Sequence, residues 1–142
     1  MNYDLVDLQQ LKISPFDYDH ANKNDDHLSV IQSMIHAKSV VFATPVYWYA
    51  MSSQMKIFFD RLSDLLTIRN DLLPKLKGRR CFLAATGTDA NLPEGFETPF
   101  RRTCDYLDMV YCRSLYFGRG SPVTKKSIQS FRADLVGGPL EP

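Results

Sequence analysis

Three runs rich in β-branched and aromatic residues decide what this chain can fold into: residues 39–43 (SVVFA), 80–85 (RCFLAA) and 110–117 (VYCRSLYF). The first is continuously apolar, the pattern of a strand covered on both faces. Segments with helical spacing and start signals separate the runs. Asp25 or Asp26 can cap a helix over 27–37, where Leu28, Ile31 and Ile35 fall on one side. Ser52 or Ser53 opens a helix to 66, in which Met55, Phe58 or Phe59, Leu62 and Leu66 keep the spacing. Thr98-Pro99 places a cap before proline at the first helical position, with the helix ending near 109. Thr124 caps a last helix carrying Ile128, Phe131 and Leu135. Upstream, 3–8 (YDLVDL) alternates and predicts a further strand, and 14–26 is a polar loop. Strand and helix alternate throughout. That order predicts an α/β doubly wound parallel sheet with helices on both faces and right-handed crossovers.

The chain has 142 residues, the size of one domain with a sizeable core, read here as 1–142 with a frayed tail at 137–142. A formal net charge of +1 and scattered Lys and Arg give no reason to expect nucleic acid or an anionic membrane. No apolar stretch approaches the roughly 20 residues of a membrane span. Three cysteines without a CxxC, and no basic-apolar leader, point to free thiols and a cytoplasmic setting. Cys81 and Cys104 read as buried and inert. His20, His27 and His36 lack metal-ligand spacing, and Asp60-Arg61 reads as a surface or interface ion pair.

The chemistry concentrates after the first core run. Residues 43–66 read ATPVYWYAMSSQMKIFFDRLSDLL: an exposed turn with three aromatics, then a serine-capped helix. A plain turn favours Gly, Asn or Asp. Rings at this place, the carboxyl end of a strand in an open α/β sheet, fit a flat stacking ligand. The stretch ATPVYWYAMSSQMKIFFDRL closely resembles the signature of the flavodoxin-like NAD(P)H-dependent FMN reductases: a small residue, Pro-Val-Tyr-Trp, a short linker, then a helix ending Phe-x-Asp-Arg. Weaker likeness covers most of the chain.

The resemblance implies a 2-1-3-4-5 sheet with FMN at the carboxyl ends of its strands. Two flavin-contacting loops are carried over: Thr44, Pro45, Val46, Tyr47, Trp48, Met51 and Ser52, and then Thr86, Gly87, Thr88 and Asp89. Pro45 stiffens the first loop, Gly87 would let backbone approach the ring, and Tyr47 and Trp48 would cover it. NAD(P)H is the implied co-substrate, a quinone, flavin or similar small molecule the acceptor, and a homodimer or homotetramer the assembly. The flavin does the chemistry, so no catalytic side chain and no metal is nominated. The family opens with a strand, a Gly/Ser/Arg-rich loop and a helix that hold the FMN phosphate; YDLVDL corresponds to its second strand, so the chain is expected to start one βα unit late. The residues 16–28 carry no cysteine, which argues against an iron–sulfur cluster. Two further readings fit the same residues: an FMN electron carrier, and a shortened paralogue that binds no flavin.

Overall fold

The computed structural model describes residues 2–120 and 123–137. Three parallel strands form the sheet in the order β1-β2-β3: β1 (Ser39–Pro45), β2 (Arg80–Thr86) and β3 (Val110–Phe117). Register runs from Ser39 opposite Arg80 to Pro45 opposite Thr86, and from Arg80 opposite Val110 to Thr86 opposite Phe117. All three carboxyl ends therefore lie together. Helices α1 (His27–His36), α2 (Ser53–Asp60), α3 (Leu73–Leu76), α4 (Thr98–Tyr106) and α5 (Lys125–Val136) connect and cover the strands.

Side-chain alternation splits the packing into two layers. Phe42 of β1 and Cys81, Leu83 and Ala85 of β2 face the main core, against Ile31 and Met34 of α1, Met55 and Phe58 of α2, and Phe100 and Cys104 of α4. Rings of Phe42, Phe58, Phe59 and Phe100 interlock at centroid distances of 5.1 to 6.5 Å. On the opposite face α5 lays Phe131 on Phe82, 5.4 Å between ring centres. Arg80 ties this helix down by donating to the carbonyls of Asp134 and Gly137.

Four expectations change. Residues 3–8 form no strand; the segment is exposed and leads into a 3₁₀ turn, Leu8–Gln10. A strand exists only through its ladder, and no described strand lies beside this segment. The run at 39–43 is not covered on both faces, because Val41 and Ala43 stand exposed on the α5 side. The predicted 52–66 helix is α only to Asp60 and tightens into 3₁₀ over Arg61–Leu66. Thr98 is the first helical residue rather than the cap, and Glu97 takes the cap position with no side-chain bond. The caps at Ser52 and Thr124 are as expected: each hydroxyl accepts an N–H three residues on, from Met55 and Ser127. Of the tail at 137–142, all but Gly137 lies outside the described residues.

Candidate functional site

Parallel pairing brings the ends of β1 and β2 side by side, and with them the two loops nominated from sequence. The Val46 N–H donates to the Thr86 carbonyl at 2.7 Å, one residue past the end of β1. A β-carbon on Gly87 would sit 3.2 Å from the Val46 β-carbon, so the loops touch.

The first loop is braced from within. Thr44 is buried; its Oγ1 accepts the Ser52 N–H at 3.0 Å and donates to the Pro45 carbonyl at 3.1 Å. Ser52 caps α2 through its own hydroxyl, which accepts the Met55 N–H at 3.3 Å. These two side chains hold the loop rather than present themselves to solvent. Met51 is half-buried against the core. The aromatic tip stands out. Tyr47 pairs with Ala50 in a two-residue turn, Tyr47 N–H to Ala50 O at 2.9 Å and the reverse at 3.0 Å. Such a turn needs positive φ at both central residues. Here those residues are Trp48 (φ 49°) and Tyr49 (φ 64°). Bulky side chains pay a steric penalty in that region, of order 1–3 kcal/mol each. Tyr47, Trp48 and Tyr49 are 63%, 94% and 70% exposed, so burial does not compensate it.

The second loop is clamped by β3. Thr86 Oγ1 and the Gly87 N–H both donate to the Phe117 carbonyl, at 3.0 and 3.2 Å. Tyr116 crosses over Gly87 to donate its hydroxyl to the Asp89 carbonyl at 2.9 Å. A β-carbon on Gly87 would lie 2.7 Å from that hydroxyl. The glycine therefore makes room for Tyr116. Sequence reasoning missed Tyr116 and Gly118; a β-carbon on Gly118 would lie 2.3 Å from the Asp89 carbonyl. An aromatic directly before a strand-ending Phe-Gly was the available signal.

Hydrogen bonds leave donors at this rim. Among the described residues the N–H groups of Trp48, Tyr49, Thr88 and Asp89 engage no acceptor. Backbone donors beside exposed rings suit the pyrimidine edge of a flat heterocycle, which presents fixed acceptors. The arrangement fits the ring portion of a flavin.

A second polar centre lies away from these loops. Arg61, 1% exposed, donates from Nε to Asp64 Oδ2 (2.9 Å) and from Nη1 to Asp25 Oδ2 (2.6 Å) and the Ser14 carbonyl (3.0 Å). Expected on a surface or interface, it is instead a buried staple that pins the 14–26 loop. Burial works to raise the Asp25 carboxyl, but bonds from Arg61 and from the Ser14 and His27 N–H groups outweigh it and leave it below the ordinary value. His27, also buried, is pushed down to about 4, first by burial and then by the Arg61 charge, against the pull of Asp64 and Asp25. It lines a cavity of about 300 Å³ with Arg61 and Leu65. Cys81 and Cys104 are both buried. No helix among the described residues is long and apolar enough to cross a membrane.

The fold defines a flavodoxin-like α/β protein, with the two candidate loops side by side at the carboxyl ends of its parallel sheet. The chain belongs to the NADPH-dependent FMN reductase family, whose model matches residues 1–122. It is similar to YwqN of Bacillus subtilis (strain 168), provisionally described as an NAD(P)H-dependent FMN-containing oxidoreductase: 34% identity over 92 residues, 58% of this chain and 50% of YwqN. The chain thus spans about half the length of that curated relative. Among solved structures, the Trp repressor binding protein of Bacillus subtilis superposes with a TM-score of 0.63 at 24% identity, covering 79% of this chain and 76% of that one. The general stress protein 14 of Treponema denticola, solved with FMN, gives 0.56 at 18% identity, over 79% and 72%. At those identities the two structures establish the fold.

Proposed function

We propose that this chain is an FMN-dependent oxidoreductase that passes a hydride from NAD(P)H, by way of the flavin, to a quinone, flavin or similar small acceptor. One observation carries the reading: two loops in contact at the carboxyl ends of β1 and β2, with unengaged backbone donors beside three exposed rings. Family membership supports it.

FMN, when bound, supplies the hydride chemistry. The protein's part is binding, orientation and exclusion of water. The N–H groups of Trp48, Tyr49, Thr88 and Asp89 would hold the pyrimidine edge. Thr44 and Ser52 keep the first loop in place; Thr86, Gly87 and Tyr116 do so for the second. Pro45 and Val46, half-buried, would form the floor between them. Trp48 and Tyr47 would wall the ring and leave one face for nicotinamide and acceptor in turn. A single acceptor face means that the two substrates alternate, which predicts ping-pong kinetics.

Titrating the purified chain with FMN tests the first half of the reading: flavin fluorescence should be quenched on binding beside Trp48, and the protein should turn yellow. Anaerobic NADPH should then bleach the bound flavin, and a quinone should restore it. A chain that leaves flavin fluorescence unchanged overturns the proposal; one that binds flavin but is not bleached by NADPH or NADH is a carrier instead.

A further inference from the structure

A cavity of about 300 Å³ opens between the 14–26 loop, α1 and the 3₁₀ turn Arg61–Leu66, and none of its lining residues belongs to the two candidate loops. That volume is at the small end of the range for small-molecule sites. At about 30 Å³ per water-sized group it holds about ten of them, the bulk of one aromatic or medium-chain acid. The floor is apolar. Ile31 and Leu65 are fully buried, Leu28 is half-buried, and Ile68 stands 39% exposed on the open side.

The wall is polar, and its donors are unmet. His27 is 3% exposed, with its ring against Phe58. Its Nε2 is buried and has no hydrogen-bond partner; the Phe58 carbonyl is near enough to favour a proton on the ring but makes no bond with this atom. Lys23 and Asn24, just upstream, are exposed, and neither the ammonium nor the amide is bonded to a described residue. The acidic groups close by are already taken. Asp64 accepts from Arg61 at Oδ2 and lies 3.2 Å from His20 at Oδ1, and Asp25 accepts from Arg61 and from the His27 N–H. Arg69, on the same wall, is held by Asp71 through two bonds. What remains is an excess of donors above an apolar floor. Those donors are also held still. Arg61 bonds to Asp25 and to the carbonyls of Ser14 and Asn22, so the loop carrying Lys23 and Asn24 is fixed before a ligand arrives, which lowers the entropy cost of binding.

We propose that this cavity binds a small organic acid, its carboxylate accepting from Lys23, Asn24 and His27 and its apolar body lying on Leu28, Ile31, Leu65 and Ile68. An ionised carboxylate brings acceptors alone, which is what these three side chains lack. Its bond to the Lys23 ammonium is charge-assisted and makes affinity depend on the ligand's charge. The floor adds a second requirement, because a bare inorganic anion would meet the donors and leave Leu28 and Ile68 in water. The buried His27 nitrogen, costly while unmet, gains its partner only when the acid is seated. The inference is independent of flavin binding.

Titrating the whole chain with benzoate, hexanoate, benzamide and inorganic phosphate tests it, read by calorimetry and by backbone amide shifts. Benzoate or hexanoate should bind with a Kd below about 1 mM and shift amides within residues 23–28 and 61–69. Benzamide, the uncharged counterpart of benzoate, and phosphate should bind about tenfold more weakly or not at all. Lys23→Ala, at an exposed position, and His27→Phe, which keeps a ring beside Phe58, should each weaken the acid about tenfold. Lys126→Ala, the same change of charge on α5 outside the cavity, should leave it unchanged. A urea midpoint checks that each variant folds, and Lys23→Ala carries the test if His27→Phe does not. A Kd above about 1 mM for both acids overturns the proposal. So does benzamide or phosphate binding as tightly as the acids, or an affinity indifferent to either folded variant. Shifts confined to Trp48 and Thr88 would put the acid on the two candidate loops and overturn it as well.

Discussion

The turn at Trp48–Tyr49 shows how much a single residue can hold in reserve. Both residues sit at positive φ, exposed, with nothing packed over them to repay the strain. Strain of this kind persists where a ligand or partner uses the conformation. Tyr49→Gly removes the steric term, so the free protein should gain about 1 kcal/mol in urea denaturation, within the range for a relieved left-handed residue. Trp48→Ala tests the other half. Being 94% exposed, Trp48 contributes little to folding, so the midpoint should barely move, while FMN affinity should fall about tenfold for the loss of one stacked ring. Unchanged affinity would remove Trp48 from the site. Gly87 works by a different constraint. Gly87→Ala drives a methyl to within 2.7 Å of the Tyr116 hydroxyl and should cost about 1–2 kcal/mol, mostly through the displaced bond to Asp89. In Tyr116→Phe that atom is gone, and the same alanine should cost less; additive costs in the double-mutant cycle would show that Tyr116 is not the obstacle.

At the scale of elements, the 3₁₀ turn Arg61–Leu66 matters because it aims Arg61 inward at Asp25, Asp64 and the loop carbonyls. Removing one partner from such a centre leaves buried carboxylates without a counter-charge. Arg61→Ala should cost about 3–5 kcal/mol, and amide exchange at Ser14 and His27, both held by Asp25, should rise together. Exchange that stays slow would mean the 14–26 loop is held by other contacts. This staple was illegible in the sequence. Asp60-Arg61 reads as a helix surface when the helix is drawn as α throughout, and two of the partners of Arg61, Ser14 and Asp25, lie dozens of residues upstream. The converse holds for β3 and for the caps at Ser52 and Thr124, where the signal is local: a run of β formers ended by Gly118, and hydroxyls three residues before the N–H they bind. The positions of the two candidate loops were legible because Pro45 and Gly87 punctuate strand ends, but their inward bracing by Thr44, Ser52 and Tyr116 was not. It depends on register between strands, which no single stretch records. The segment YDLVDL failed for the same reason, since alternation specifies a strand only when a neighbour completes it.

For the whole molecule, acid should expose how the buried polar centre is coupled to folding. His27 is neutral in the fold, its pKa near 4 against an ordinary 6.5, because burial and the Arg61 charge oppose the proton. The unfolded chain takes up that proton first as pH falls. The stability held by the neutral ring is therefore complete above about pH 6.5, declines between 6.5 and 4, and is gone below 4. At about 1.4 kcal/mol per pKa unit the loss amounts to about 3 kcal/mol. Asp25 acts in a lower window: its depressed carboxyl stabilises above the ordinary value of 3.8 and fails only beneath it. The two groups separate on this basis. His27→Phe keeps a ring beside Phe58, 5.2 Å from the present imidazole centre, and has no proton to gain. Urea midpoints measured at pH 7, 5.5 and 4.5 should slide downward for the natural chain and run nearly level for the variant, while below pH 4 both should fall together. Parallel slopes across the upper window would mean that other groups set the acid response and that His27 is already protonated in the fold.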